Sequence, residues 1–198
     1  MKLRTDAMRW CIVWVSVAAV LAGSALAAAD DAAGDPEAPG VVERAALAEM
    51  SFLEGDWAGE GWSMPPSGER RRFWVEEAFH YRGEKDLMDM QGIFGGILAD
   101  GTRTPSREYN LGILYYDREA REYRMWHYSS SGEVFDTPMS VDVAGRSMHY
   151  VKDYPGGITG KFHLVVGPDG VWTSSFHILE EDDSWRQVME FRMRRTDQ

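Results

Sequence analysis

Turn-forming residues divide most of this chain into short segments that have the length of β-strands. About ten such segments follow one another between residues 56 and 194, at a spacing of about 10–14 residues, with clusters of Gly, Pro, Asp and Ser between them. This spacing leaves no room for crossover helices, so neighbouring segments should pair as antiparallel hairpins. The pattern therefore predicts an all-β domain, either a barrel or a sandwich.

The last of these segments has the clearest two-residue alternation of apolar and charged side chains. The residues predicted to share its apolar face are Trp185, Gln187, Met189, Phe191 and Met193. Arginine and glutamate dominate the opposite face, as in a strand that has one buried and one solvated side. We expect the apolar face to point into the domain.

The chain before the strands has three parts of different composition. Residues 1–27 combine a basic start, an apolar stretch and small residues at 25 and 27, which predicts a cleaved signal peptide and a periplasmic or secreted protein without a membrane span. Residues 28–40 contain Ala, Asp, Gly, Pro and Glu and predict an acidic disordered linker. Apolar residues at helical spacing over 41–53 predict a short helix that packs on one end of the domain, 41–198.

Charge and motifs exclude several classes of function. A net charge of −11 opposes binding to nucleic acid, whose phosphates are also negative. The one cysteine, Cys11, lies in the predicted signal peptide, so no thiol chemistry is expected in the mature protein. The five histidines have no metal-binding spacing, and no nucleotide loop or serine-nucleophile motif occurs. We predict no metal site and no catalytic residues, and the oligomeric state stays open.

The order of several short motifs resembles that of the calycin-type barrels, which include lipocalins, fatty-acid-binding proteins and nitrobindin-like proteins. The likeness is greatest to the bacterial DUF1579 family, whose members are small β-proteins of unassigned function. The motifs are FLEGDWAGEG at 52–61, an aromatic second strand at 73–81, Gly-Gly at 95–96, LGILYYD at 111–117, and Tyr123 and Trp126 in the next strand. The resemblance implies an antiparallel up-and-down barrel of about ten strands.

The resemblance also implies roles for individual residues. In calycins the first-strand tryptophan closes one barrel end under an arginine of the last strand, which here would be Trp57 with Arg192 or Arg194. Nitrobindin-like proteins bind haem through a histidine close to the C-terminal strands. His177 is the nearest equivalent, although a surface position is the alternative interpretation of this residue, and we expect no cofactor otherwise.

The second strand contains a carboxylate that should face inward. Glu76 and Glu77 point to opposite faces, and Glu77 shares its face with Phe73, Val75 and Phe79. Inside an apolar lumen Glu77 would need a partner or a proton, which makes it a candidate ligand contact. The alternative is that it pairs with an internal arginine or lies at a wet opening of the barrel.

A large content of aromatic residues and methionine indicates either a ligand cavity or ordinary core packing. The chain has eight Trp, eight Tyr, eight Phe and eleven Met. The predicted cavity lining is Glu77, Met88, Met90, Trp126, Tyr128, Phe176, Trp185, Gln187 and Met189. We therefore expect non-catalytic binding of a small hydrophobic molecule. The alternatives are a haem or nitrogen-oxide protein, an enzyme on the same scaffold, and a structural envelope module without a ligand.

Overall fold

Ten antiparallel strands close into one barrel in the computed structural model, which describes residues 40–65, 68–106 and 108–196. The elements are α1 (Val41–Ala48), β1 (Gly55–Ser63), β2 (Arg71–Arg82), β3 (Leu87–Gly96), β4 (Glu108–Asp117), β5 (Glu122–Ser129), β6 (Val134–Asp142), β7 (Ser147–Tyr154), β8 (Ile158–Val166), β9 (Trp172–Leu179) and β10 (Trp185–Arg195). Each strand pairs with the next along the chain, and β1 pairs with β10. The predicted up-and-down barrel of ten strands with a short N-terminal helix is confirmed.

The chain divides into two units, Met1–Gly34 and Asp35–Gln198, and the helix and all ten strands belong to the second. The predicted signal peptide and nearly all of the predicted linker lie outside the described residues. Within the described part of the chain, no helix is long and apolar enough to cross a membrane.

The helix is shorter than predicted and covers one end of the barrel, which we call the helix end. It stops at Ala48 instead of continuing to Leu53, and turns carry the chain into β1. Leu47, Met50 and Leu53 are fully buried. Two phenolic hydroxyls, Tyr81 and Tyr123, donate to the last helical carbonyls, at 2.8 Å and 3.0 Å. These contacts hold the helix on the barrel, since eight residues are too few for a stable isolated helix.

Trp57 closes the helix end as predicted, but the arginine above its ring is a different one. The guanidinium of Arg195 lies 4.7 Å from the centre of the Trp57 ring, and Trp57 is paired directly with Arg195 across β1 and β10. Arg192 and Arg194 point outward because they occupy the alternate positions of β10. The prediction of Arg192 or Arg194 for this contact is therefore wrong.

A β-bulge interrupts β10 and reverses its alternation. Gln187 pairs with His177, whereas Met189 pairs with the adjacent Phe176, so Val188 is an extra residue in β10. Met189, Phe191 and Met193 consequently face inward, and Gln187 and Trp185 face outward. The predicted single face of this strand is wrong at its first half, because one inserted residue exchanges the two faces.

Candidate functional site

The inward-facing side chains leave a cavity of about 320 Å³ in the lumen, at the lower end of the range for small-molecule pockets. Strands β2 to β10 all contribute to its wall. The lining residues are Glu77, Phe79, Met90, Phe94, Glu108, Asn110, Met125, His127, Ser129, Ser131, Glu133, Phe135, Met148, Tyr150, Tyr154, Phe162, Leu164, Trp172, Phe176, Met189 and Phe191. Most are apolar, so the cavity suits a largely apolar occupant.

Aromatic packing explains why the space lies away from the helix. At the helix end the Trp172 ring lies 5.0 Å from that of Trp57 and 5.1 Å from that of Phe79, and all three side chains are about 1% exposed. Rings of this size fill the barrel there. The opposite end, which we call the mouth, is lined by smaller or charged groups that include Ser129, Ser131 and Glu133. The lumen therefore opens at the mouth.

Glu77 is a buried carboxyl in the wall of this cavity. It is 8% exposed and lies between the buried Val75 and Phe79 on the inward face of β2. Its cross-strand neighbour on β3 is Gly92, and the edge of the Phe94 ring lies against that glycine. Burial raises the pKa of Glu77 to about 8, because an ionised carboxylate loses its hydration there. Glu77 is thus mainly protonated at neutral pH.

His127 also faces the cavity, although its spacing in the sequence does not distinguish it from the other four histidines. It is 9% exposed, its ring stacks on Phe135 with centroids 4.6 Å apart, and its Nδ1 is buried without a hydrogen-bond partner. Burial lowers the pKa of His127, so the imidazole is neutral at physiological pH. Gly112 lies opposite it on β4. Glu77 and His127 are thus two inward polar residues that each pair with a glycine. The sequence contains these residues, but only the strand register shows which glycine lies opposite each of them.

A lysine near the mouth, Lys152, already has an ion-pair partner and two aromatic neighbours within the protein. The side chain of Lys152 is 10% exposed and forms a close ion pair with Glu133. Its ammonium nitrogen also lies 3.4 Å from the centre of the Phe135 ring and 4.0 Å from that of Tyr154. An ammonium held by a carboxylate and two aromatic rings needs no further partner.

The structure brings together four of the residues predicted to line a cavity, namely Glu77, Met90, Phe176 and Met189. Met88 faces inward too, but it is fully buried and outside the cavity lining. It packs in the core, one residue pair nearer the helix end than Met90.

The other predicted lining residues lie on the outer face of the barrel. Trp126 and Tyr128 alternate with the inward Met125 and His127, and the Tyr128 ring packs beside that of Tyr109. Trp185 and Gln187 are directed outward by the bulge. Their interactions are external as well: Lys161 lies 4.6 Å over the Trp185 ring, and Gln187 donates to Glu190 at 3.0 Å. These four residues are not part of the cavity wall.

His177, the residue that the resemblance offers for haem, is on the outer face of β9. It alternates with Ser174 and Phe176, which face inward, and it pairs with Lys161 on β8. This position does not fit an axial ligand of a group held in the lumen; the imidazole that could serve there is His127. In the described residues, no group of three or more His, Cys, Asp or Glu side chains could hold a metal ion.

Comparisons with known proteins agree on the fold. No family model matches the chain, and no curated protein matches it. The solved structure of Rv2717c from M. tuberculosis is similar, with 17% identity and a TM-score of 0.54 over 76% of this chain and 97% of that one. An S-type phycobiliprotein lyase from Guillardia theta has 6% identity and a TM-score of 0.50 over 74% of this chain and 89% of that one. At these identities the likeness shows the fold alone.

Proposed function

We propose that this barrel binds a small, largely apolar molecule in its lumen and does not transform it. The observation that carries the proposal is the cavity itself, which has an apolar wall, a closed helix end and a polar mouth. An occupant that loses about 200 Å² of apolar surface to such a wall gains about 5 kcal/mol from the hydrophobic effect. Glu77, His127 and Asn110 are the polar groups available to orient it.

We place this activity outside the cytoplasm, in the periplasm or the surrounding medium. The support is the composition of residues 1–27, which is that of a cleaved export signal. The order of motifs that resembles the DUF1579 family supports an assignment to the small bacterial β-proteins, whose members are either exported or cytoplasmic. The ligand would then be a molecule met in the cell envelope or outside the cell.

A matched pair of variants tests the lumen as the binding site. Asn110 faces the cavity, whereas the next residue, Leu111, is 38% exposed on the outer face. Asn110→Trp should fill the space and weaken the binding of N-phenyl-1-naphthylamine, a neutral apolar fluorophore, by tenfold or more. Leu111→Trp adds the same ring outside and should change the affinity by less than about twofold.

Native mass spectrometry of the protein purified from its own envelope should also show a retained small molecule. If the wild type does not bind the fluorophore and retains no compound, the barrel is a structural module and the proposal is refuted. Equal loss of binding in the two tryptophan variants would place the site outside the lumen.

Haem binding is the second function we propose, because His127 lines the lumen and its buried Nδ1 has no hydrogen-bond partner in the described residues. Titration with haemin should give a Soret band in the wild type that His127→Phe removes and His177→Phe keeps. No band in the wild type, or a band that depends on His177 alone, would reject haem in the lumen.

A further inference from the structure

Glu77 has no partner within the part of the chain that the structure describes. It is 92% removed from solvent and lines the cavity, yet its carboxyl group makes no hydrogen bond or ion pair with residues 40–65, 68–106 or 108–196. Buried carboxyl groups are normally paired or hydrogen-bonded, because an unpartnered one costs free energy. An unsatisfied carboxyl directed into a cavity is therefore a feature of the ligand site.

The titratable groups around the cavity do not supply the missing charge. Across the lumen are the phenol of Tyr150, whose pKa Glu77 contributes to raising, and the neutral imidazole of His127. Lys152 is the cation near the mouth, and Glu133 together with two aromatic rings already holds it. Arg195 is held at the helix end, over Trp57 and within 3.3 Å of the Phe52 carbonyl oxygen.

The negative charge at the mouth favours cationic ligands over anionic ones. Glu108 and Glu133 lie at the mouth, and the whole chain has a net charge of −11. A negative potential at a narrow entrance concentrates cations and repels anions. Aromatic side chains, among them Tyr150, Phe162 and Phe176, form much of the wall and stabilise a cation by their ring faces.

We propose that the ligand of this lumen is a hydrophobic amine whose ammonium group pairs with the carboxylate of Glu77. The inference rests on the proposed function and specifies the chemical class that the site takes. The apolar body of the amine fills the cavity, while its charged end lies at the Glu77 carboxylate, near the Phe94 ring. Among the described residues, no cation lies at Glu77 to hold an anionic ligand there.

Binding must then release a proton. In the free protein the Glu77 carboxyl carries a proton at neutral pH, and the incoming ammonium keeps its own. Formation of the ammonium–carboxylate pair expels the carboxyl proton to solvent, so one proton leaves for each ligand bound. The affinity for an amine should rise by up to tenfold per pH unit below pH 8. A neutral ligand that accepts a hydrogen bond from protonated Glu77 would instead bind more weakly as the pH rises through 8.

Three naphthalene compounds of nearly equal size test this inference by calorimetry: 1-naphthylmethylamine, 1-naphthylmethanol and 1-naphthoate. At pH 8 the wild type should bind the amine at least tenfold more tightly than the alcohol, and it should bind the acid most weakly. Titrations in buffers of different ionisation enthalpy should show release of about one proton per amine at pH 7. Glu77→Gln should lose tenfold or more in amine affinity and less than threefold in alcohol affinity. Glu76→Gln, which changes the adjacent outward carboxylate, should behave as the wild type.

The results separate the two proposals. Alcohol binding to Glu77→Gln demonstrates that the variant is folded with an intact lumen. If the wild type binds the alcohol as tightly as the amine, or if Glu77→Gln keeps the amine affinity, the amine inference is overturned and lumen binding stands. If the wild type binds none of the three compounds and not the neutral fluorophore either, both proposals fall.

Discussion

Replacing Glu77 with glutamine should change how the stability of this protein depends on pH. An exposed glutamate has a pKa of 4.5, whereas burial raises the pKa of Glu77 to about 8 in the native state. Between these values the native protein holds a proton that the unfolded chain has lost, so the free energy of unfolding falls as the pH rises. Below about pH 4.5 both states are protonated, and above about pH 8 both are ionised, so the dependence is confined to this window.

The size of the change in the free energy of unfolding follows from the pKa shift of Glu77. One proton corresponds to a slope of about 1.4 kcal/mol per pH unit, or about 4 kcal/mol between pH 5 and pH 8. Glutamine has nearly the same shape and cannot ionise in this range. Its buried amide lowers stability by an amount that does not depend on pH, about 1–3 kcal/mol. The wild type should therefore be the more stable protein at pH 5 and the less stable one at pH 8.

Urea denaturation followed by tryptophan fluorescence at pH 5, 6, 7 and 8 measures the difference between the two proteins. Contributions from histidines and surface groups are common to both and cancel in the difference. Glu76→Gln, on the exposed face of the same strand, should show no such slope against the wild type. A constant difference between wild type and Glu77→Gln over this range would mean that Glu77 is hydrated or paired, and would refute the reasoning.

Three further variants test the helix end of the barrel and the second polar group of the cavity. Arg195→Leu should lower the free energy of unfolding by about 1 kcal/mol through loss of the contact with Trp57, whereas Arg194→Leu should change it by less than about 0.5 kcal/mol; equal urea midpoints would contradict the assignment. Burial lowers the pKa of His127, so the wild type should lose stability relative to His127→Phe as the pH falls below about 6.5. Urea titrations of both proteins from pH 7.5 to 5 measure this difference, in which the contributions of Glu77, His163 and His177 cancel, and a difference that does not change with pH would show that the ring is solvated. Met50→Ala should cost about 2–5 kcal/mol in thermal or urea unfolding, because Met50 is fully buried under the helix end; a cost below 1 kcal/mol would mean that this end is loosely packed.

The regular part of this fold is predictable from local patterns. Turn chemistry at even spacing yields ten strands, and the two-residue period of β2 places Glu77 with Val75 and Phe79. The two-residue alternation of β10 also predicts that Arg195 is the arginine over Trp57, because the alternation that directs Met193 inward also directs Arg195 inward. These features depend on residues that are close together in the chain.

Other features depend on pairing between strands, which the local pattern does not contain. β5 has apolar or aromatic residues on both faces, so Trp126 and Tyr128 compete with Met125 and His127 for the inward side. The larger rings lie outside, where they pack with residues of β4. Val188 has no distinguishing side chain, and its role as a bulge emerges only from the register of β10 against β9.

The bulge at Val188 determines which side chains of β10 face the mouth of the barrel. With unbroken alternation, the Trp185 ring would point into the opening; the extra residue instead directs it onto the exterior, beneath Lys161. The same strand therefore lines the lumen with Met189 and Phe191 and directs the Trp185 side chain to the outer surface. We expect deletion of Val188 to turn the indole towards the mouth, where it would narrow the opening.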